Sequence, residues 1–199
     1  MSESTHPRPG LSGPHTMAAA ASDRAPDREY DWTRYALLSG VVGAAVVAIV
    51  FLAVDLASGR PAFFTPAVLG SALFLGESIG GNVEVVPSDR VAVVLGYTMV
   101  HGVTFVGFGA LAASERLTRR KAGRFGVGHA CAIAALLFVA LEITFAALGW
   151  LVGSDLDLAA RLGSGWIATA NGLAALAMTA IVARGAQRLS DRPDAEEPE

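Results

Sequence analysis

The chain has 199 residues, of which 53% are apolar and 17% charged, and its mean hydropathy is +0.48. Soluble domains carry about 25% charged residues, so the composition excludes an ordinary soluble domain. Charges gathered into a few stretches between long uncharged runs point instead to a multi-pass membrane protein. The net charge of −3 averages over two very different sides and gives no basis for a nucleic-acid partner. A single cysteine, Cys131, sits in a hydrophobic run, which excludes a disulfide framework and a paired-cysteine metal or redox site.

Residues 1–30 are rich in Pro, Ser, Gly and mixed charge, without apolar periodicity. Such a segment buries too little surface to offset ordering, so it reads as a disordered tail. Its two histidines, His6 and His15, read as solvated tail residues. The apolar run Met17 to Ala21 is too short for a signal-peptide core.

Four segments of about 20 or more largely apolar residues follow, the length that a ~30 Å hydrocarbon core requires. They run from about 35–57, 91–113, 127–152 and 162–183. Backbone groups in lipid must be satisfied within the segment, so all four are expected to be helices. The predicted fold class is therefore an all-α integral membrane protein, a four-transmembrane-helix bundle spanning 31–187, with a second disordered tail over 188–199.

The loop between the first two segments holds an apolar stretch of its own. Thr65 as a cap and Pro66 at the first helical position predict a helix over Pro66–Leu75, with Gly76 as its stop. It is too short to span and suits an interfacial or re-entrant piece in the first outer loop. Just before this loop, Asp55 is expected at the interface with Arg60 close by, or as the outer entrance of a pathway.

Arginines set the orientation. The loop between the second and third segments carries Arg116, Arg119, Arg120, Lys121 and Arg124, and both tails are basic near the membrane. An even number of crossings puts these on one face, which the positive-inside rule makes cytoplasmic. The expected location is a bacterial cytoplasmic (inner) membrane, with both termini cytoplasmic. The basic loop then sets topology and touches anionic lipid.

Small residues at four-residue spacing allow close helix approach: Gly40 and Ala44, Ala130 and Ala134, Ala168 and Gly172, Ala170 and Ala174. Among them lie three polar side chains that need a reason to be there, because an unpaired charge at depth costs roughly 2.5 kcal/mol or more. At 1.5 Å per residue from the cytoplasmic end, His101 falls at about 16 Å, Glu142 at roughly 22 Å and Asn171 at about 18 Å. Tyr97, Thr98 and Thr104 share the face of His101 by helical spacing. His129 sits near the start of its segment and does not belong to this group.

Three readings of the cluster stay open. It fixes packing, with Glu142 protonated or paired with His101 and Asn171 supplying a further hydrogen bond. It relays protons or a small solute through His101 and Glu142. Or His101 is the axial ligand of a haem or a chlorophyll-type pigment, flanked by Tyr97 and Phe105. No metal site is expected, since two ligands on different helices fall short of what zinc requires. No phosphate loop, dinucleotide fingerprint, His-Glu-x-x-His or nucleophile elbow is present. The leading expectation is a non-enzymatic membrane component that packs with membrane-protein partners or with copies of itself.

Overall fold

The computed structural model describes residues 25–76, 90–114, 126–152 and 158–190. Within them the chain is all-helical. The elements are α1 (Ala25–Ala57), α2 (Phe64–Leu75), α3 (Val91–Ala113), α4 (Val127–Val152), α5 (Leu158–Leu162) and α6 (Ser164–Ser190). Four of them, α1, α3, α4 and α6, are long and apolar enough to cross a membrane.

Two helices extend beyond the expected segments. α1 starts at Ala25, inside the stretch expected to be disordered, although its apolar span begins only at Trp32. Pro26 falls in its first turn, where a missing backbone N–H costs nothing. α6 runs on to Ser190, past the expected end at Ala183 and into the expected second tail. The extension of α6 packs against the start of the expected first segment: a Cβ on Gly185 would come within 2.7 Å of the Tyr35 ring. The expected start at Leu162 is also corrected. Leu158–Leu162 forms the separate turn α5, and Gly163 breaks the chain with φ of 81° before α6 begins.

α1 is the central helix. It packs along both α3 and α6, while α4 packs mainly on α6 and α2 on α3. Glycine makes the α1–α3 approach possible. A Cβ on Gly40 would meet the Val106 backbone, and one on Gly109 would meet the Ala36 carbonyl and the Gly40 amide. Gly43 does the same for Met178 and Phe105, so α3, α1 and α6 meet at one level. On α6, Ala170, Ala174, Met178 and Val182 are fully buried against this centre.

The order α3–α1–α6–α4 has a consequence. α3 and α4 follow each other in sequence yet scarcely touch. Their outer faces stay open, with Met99 72% and Val103 71% exposed on α3, and Ile143 63% exposed on α4. Contiguous apolar surface of this kind is unfavourable in water and fits a bundle surrounded by lipid.

α2 is not capped as expected. The residue preceding it is Phe63, in the left-handed region with φ of 66°, and no side chain of the flanking residue caps it. Thr65 lies inside the helix. Its backbone N–H donates to Asp55 Oδ2 at 2.9 Å and its hydroxyl to Asp55 Oδ1 at 3.0 Å. Asp55, expected at the interface with Arg60 close by, is turned into the protein. It is only 1% exposed, and it satisfies two donors in the first turn of α2 from the end of α1. Arg60 adds an ion pair at 3.9 Å and places its guanidinium 5.0 Å from the Phe64 ring centre. At the other end Gly76 stops the helix in the left-handed region, as expected, and its N–H donates to the Ser71 carbonyl. Arg90 donates to the Ser71 hydroxyl at 3.3 Å. α2 is thus fastened at both ends, and Gly70 lets it lie against Val93 and Tyr97 of α3.

Candidate functional site

His101 lies halfway along α3, on the face turned toward α1. The small residues of α1 let the imidazole reach backbone: Nε2 sits 3.3 Å from the Ala44 carbonyl oxygen. A carbonyl only accepts, so Nε2 carries the proton and, in the neutral ring, Nδ1 is a bare acceptor. Tyr97 and Phe105, one turn away on either side, hold the ring at centroid distances of 5.7 and 4.7 Å. Phe105 is itself buried and packs edge-on against Phe108.

Glu142 and Asn171 form a second polar contact. Asn171 Nδ2 donates to Glu142 Oε1 at 2.9 Å and so ties α6 to α4. Asn171 is 8% exposed. Having given one amide hydrogen to Glu142, it keeps its other N–H and its carbonyl oxygen.

The three polar residues are therefore brought to one region but not into one network. His101 is fastened to α1 and Glu142 to α6, and no hydrogen bond joins them. The expected pairing of Glu142 with His101 gives way to two separate interhelical fasteners, because α3 and α4 stand apart. Thr98 and Thr104 do not join either. Each hydroxyl donates to a carbonyl of its own helix one turn back, Val94 and Val100 respectively, at 2.8 Å. His129 lies in the first turn of α4, far from this group. The basic residues Arg116, Arg119, Arg120, Lys121 and Arg124, and the tail residues His6 and His15, lie outside the described residues.

Two cavities flank the Tyr97–His101 pair. One, of about 180 Å³, fills the gap between α3 and α4. Val47 and Phe51 of α1 form its floor, and Leu69 and Leu73 of α2 close one end. Tyr97, Val100, His101, Thr104 and Phe105 line one wall, and Leu141, Thr144, Phe145 and Leu148 the other. Asn171 and Ile167 of α6 complete it. The second cavity, of about 220 Å³, lies on the opposite side, between α1, α2 and α3. It is lined by Asp55, Phe63, Pro66 and Thr98 together with the same Tyr97 and His101.

Both cavities are apolar spaces with a few polar groups, the usual character of a small-molecule site. Tyr97 makes no hydrogen bond to any described residue. No side-chain nitrogen or oxygen among the described residues is fully buried without a partner. The Tyr97 hydroxyl and the unclaimed atoms of His101 and Asn171 are therefore not sealed off, and all three residues line one or both of these spaces. Use of His101 as an axial ligand through Nε2 would require the ring to leave the Ala44 carbonyl. No three His, Cys, Asp or Glu side chains among the described residues converge on a point where a metal ion could bind.

The sequence singled out His101, Glu142 and Asn171 but not the contact of Asp55 with Thr65 or that of Arg90 with Ser71. For the first, the sequence offers only an acid ten residues before a Thr-Pro helix start, with nothing to say that the two meet. No protein-family model matches this chain, nor does any curated protein or solved structure.

Proposed function

We propose that this protein is a non-enzymatic, multi-pass component of a bacterial cytoplasmic membrane, that both termini are cytoplasmic, and that it works by binding within the bilayer at the seam between α3 and α4. The observation that carries this reading is the incomplete contact of those two helices. Both are long and apolar, they are consecutive in the chain, and yet a lined space separates them. The polar side chains beside that space act first as fasteners, His101 on Ala44 and Asn171 on Glu142. A bundle held this way keeps its seam open without help from an occupant. The arginine-rich segment between α3 and α4 supports the orientation through the positive-inside rule.

Native mass spectrometry of the protein, extracted gently from its own membrane, tests this. Thr144 lines the seam and is exposed, so Thr144→Trp should plug the mouth without disturbing the centre. The expected result is a co-isolated partner at fixed stoichiometry, polypeptide or small molecule, that the Trp variant loses. A bare protein in both samples, or a partner indifferent to the plug, overturns the proposal.

A further inference from the structure

The seam cavity also carries information about what it holds, and this inference rests on the reading of the seam given above. Its volume of about 180 Å³ is close to the ~150 Å³ of an engineered cavity that binds benzene. One ring with a short substituent fits; a macrocycle does not. The walls are apolar except at three points. His101 offers Nδ1 as an acceptor, because Nε2–H is committed to Ala44. Asn171 offers a carbonyl oxygen and one N–H, because its other N–H is committed to Glu142. Tyr97 offers a hydroxyl that the fold does not use. The threonines on the walls add nothing, since Thr104 and Thr144 both donate to their own helices at 2.8 Å.

We infer that this cavity is a binding site for a small lipid-soluble molecule of one-ring size bearing a hydroxyl group, a phenol or a comparable alcohol. Residues that carry unclaimed acceptors and donors stand together on the walls. A hydroxyl does both jobs at once: it donates to a bare nitrogen or carbonyl and accepts from Tyr97 or the Asn171 amide. A hydrocarbon of the same shape leaves them without that partner in a mostly apolar space, where an unmade hydrogen bond costs more than in water. Entry is from the bilayer, through the gap between α3 and α4.

The test compares 4-fluorophenol with fluorobenzene by ¹⁹F NMR titration of the full-length protein in lipid nanodiscs. Saturable binding of 4-fluorophenol is expected, with fluorobenzene weaker. Tyr97→Phe is the informative variant, because the Tyr97 hydroxyl holds nothing in the fold. It should weaken 4-fluorophenol binding by about threefold to tenfold, the value of one hydrogen bond, and leave fluorobenzene unchanged. In ¹⁵N-histidine-labelled protein, phenol but not fluorobenzene should shift the Nδ1 resonance that His101→Gln removes. Equal affinity for the two probes, or no effect of Tyr97→Phe on a normally folded protein, overturns the hydroxyl assignment. If neither probe binds while native mass spectrometry retains a polypeptide, the ligand class is wrong and the seam reading stands. If Thr144→Trp leaves phenol binding intact, the seam is not the route and both fall.

Discussion

Asp55 gives the sharpest test of the fold. Its carboxylate, almost fully buried, receives the Thr65 amide at 2.9 Å and the Thr65 hydroxyl at 3.0 Å. Asp55→Ala removes both acceptors and leaves two donors buried, since Thr65 is itself only 3% exposed. Loss of a helix N-terminal acceptor costs about 1 kcal/mol, and a buried donor left unsatisfied about 1–3 kcal/mol. The ion pair to Arg60, long at 3.9 Å and with Arg60 35% exposed, adds little beyond this because solvent screens it. The expected loss is about 2–4 kcal/mol, roughly a 5–15 °C fall in melting temperature. Asp55→Asn is the control. Its amide oxygen can accept the Thr65 N–H while its nitrogen donates to the Thr65 hydroxyl, so both contacts survive and the cost should stay within about 1 kcal/mol. Tryptophan-fluorescence melting in detergent measures the first quantity. Hydrogen exchange over residues 64–75 measures the second, because α2 should open before the bundle does. Equal damage from Asn and Ala would show that the negative charge matters rather than the cap. Unchanged exchange in α2 for Asp55→Ala would refute the reasoning outright.

Other expectations follow from the same geometry. Gly109→Leu should force α1 from α3 and cost about 1–3 kcal/mol or more, whereas Gly107→Ala, which points into open space, should be neutral or slightly stabilising by thermal melting. A double-mutant cycle on Glu142→Leu and Asn171→Leu should give a coupling energy of about 0.6–1.7 kcal/mol, and zero coupling would deny the contact. His101→Ala should lower stability by roughly 1–2 kcal/mol and leave proton or solute flux in liposomes at background; flux in the parent protein that requires both His101 and Glu142 would sink the fastener reading. Reporter fusions at each end of the chain should both score as cytoplasmic, and a periplasmic score for either would reverse the orientation.

The sequence alone determined an all-helical chain with four long apolar segments and most of its parts. Hydropathy and length marked all four long helices, and α3 and α4 begin and end at the expected residues, because an uncharged apolar run of that length satisfies its backbone internally as a helix. The stop of α2 at Gly76 was legible for the same local reason, a left-handed residue after an apolar turn. The levels of Glu142 and Asn171 were also readable, since a constant rise per residue fixes depth along each helix.

Depth does not fix azimuth or neighbour order, and these only the tertiary structure decided. The close approach at Gly40 and Gly109 makes α1 the partner of α3, and Ala170 and Ala174 lie buried on α6 in the core it shares with α1. α4 is left to pack on α6, and so Glu142 meets Asn171 while His101 turns to the Ala44 carbonyl. The extra turns of α1 and α6 are polar and carry no hydropathy signal, and that of α6 lies where Gly185 meets the Tyr35 ring. In the sequence Asp55 reads only as an interface residue or a pathway entrance, because nothing local says that the chain returns, ten residues later, to bring Thr65 onto its carboxylate. The seam between α3 and α4 has no local signature at all. It exists because α3 packs on α1 and α4 on α6, so two helices consecutive in the chain scarcely meet.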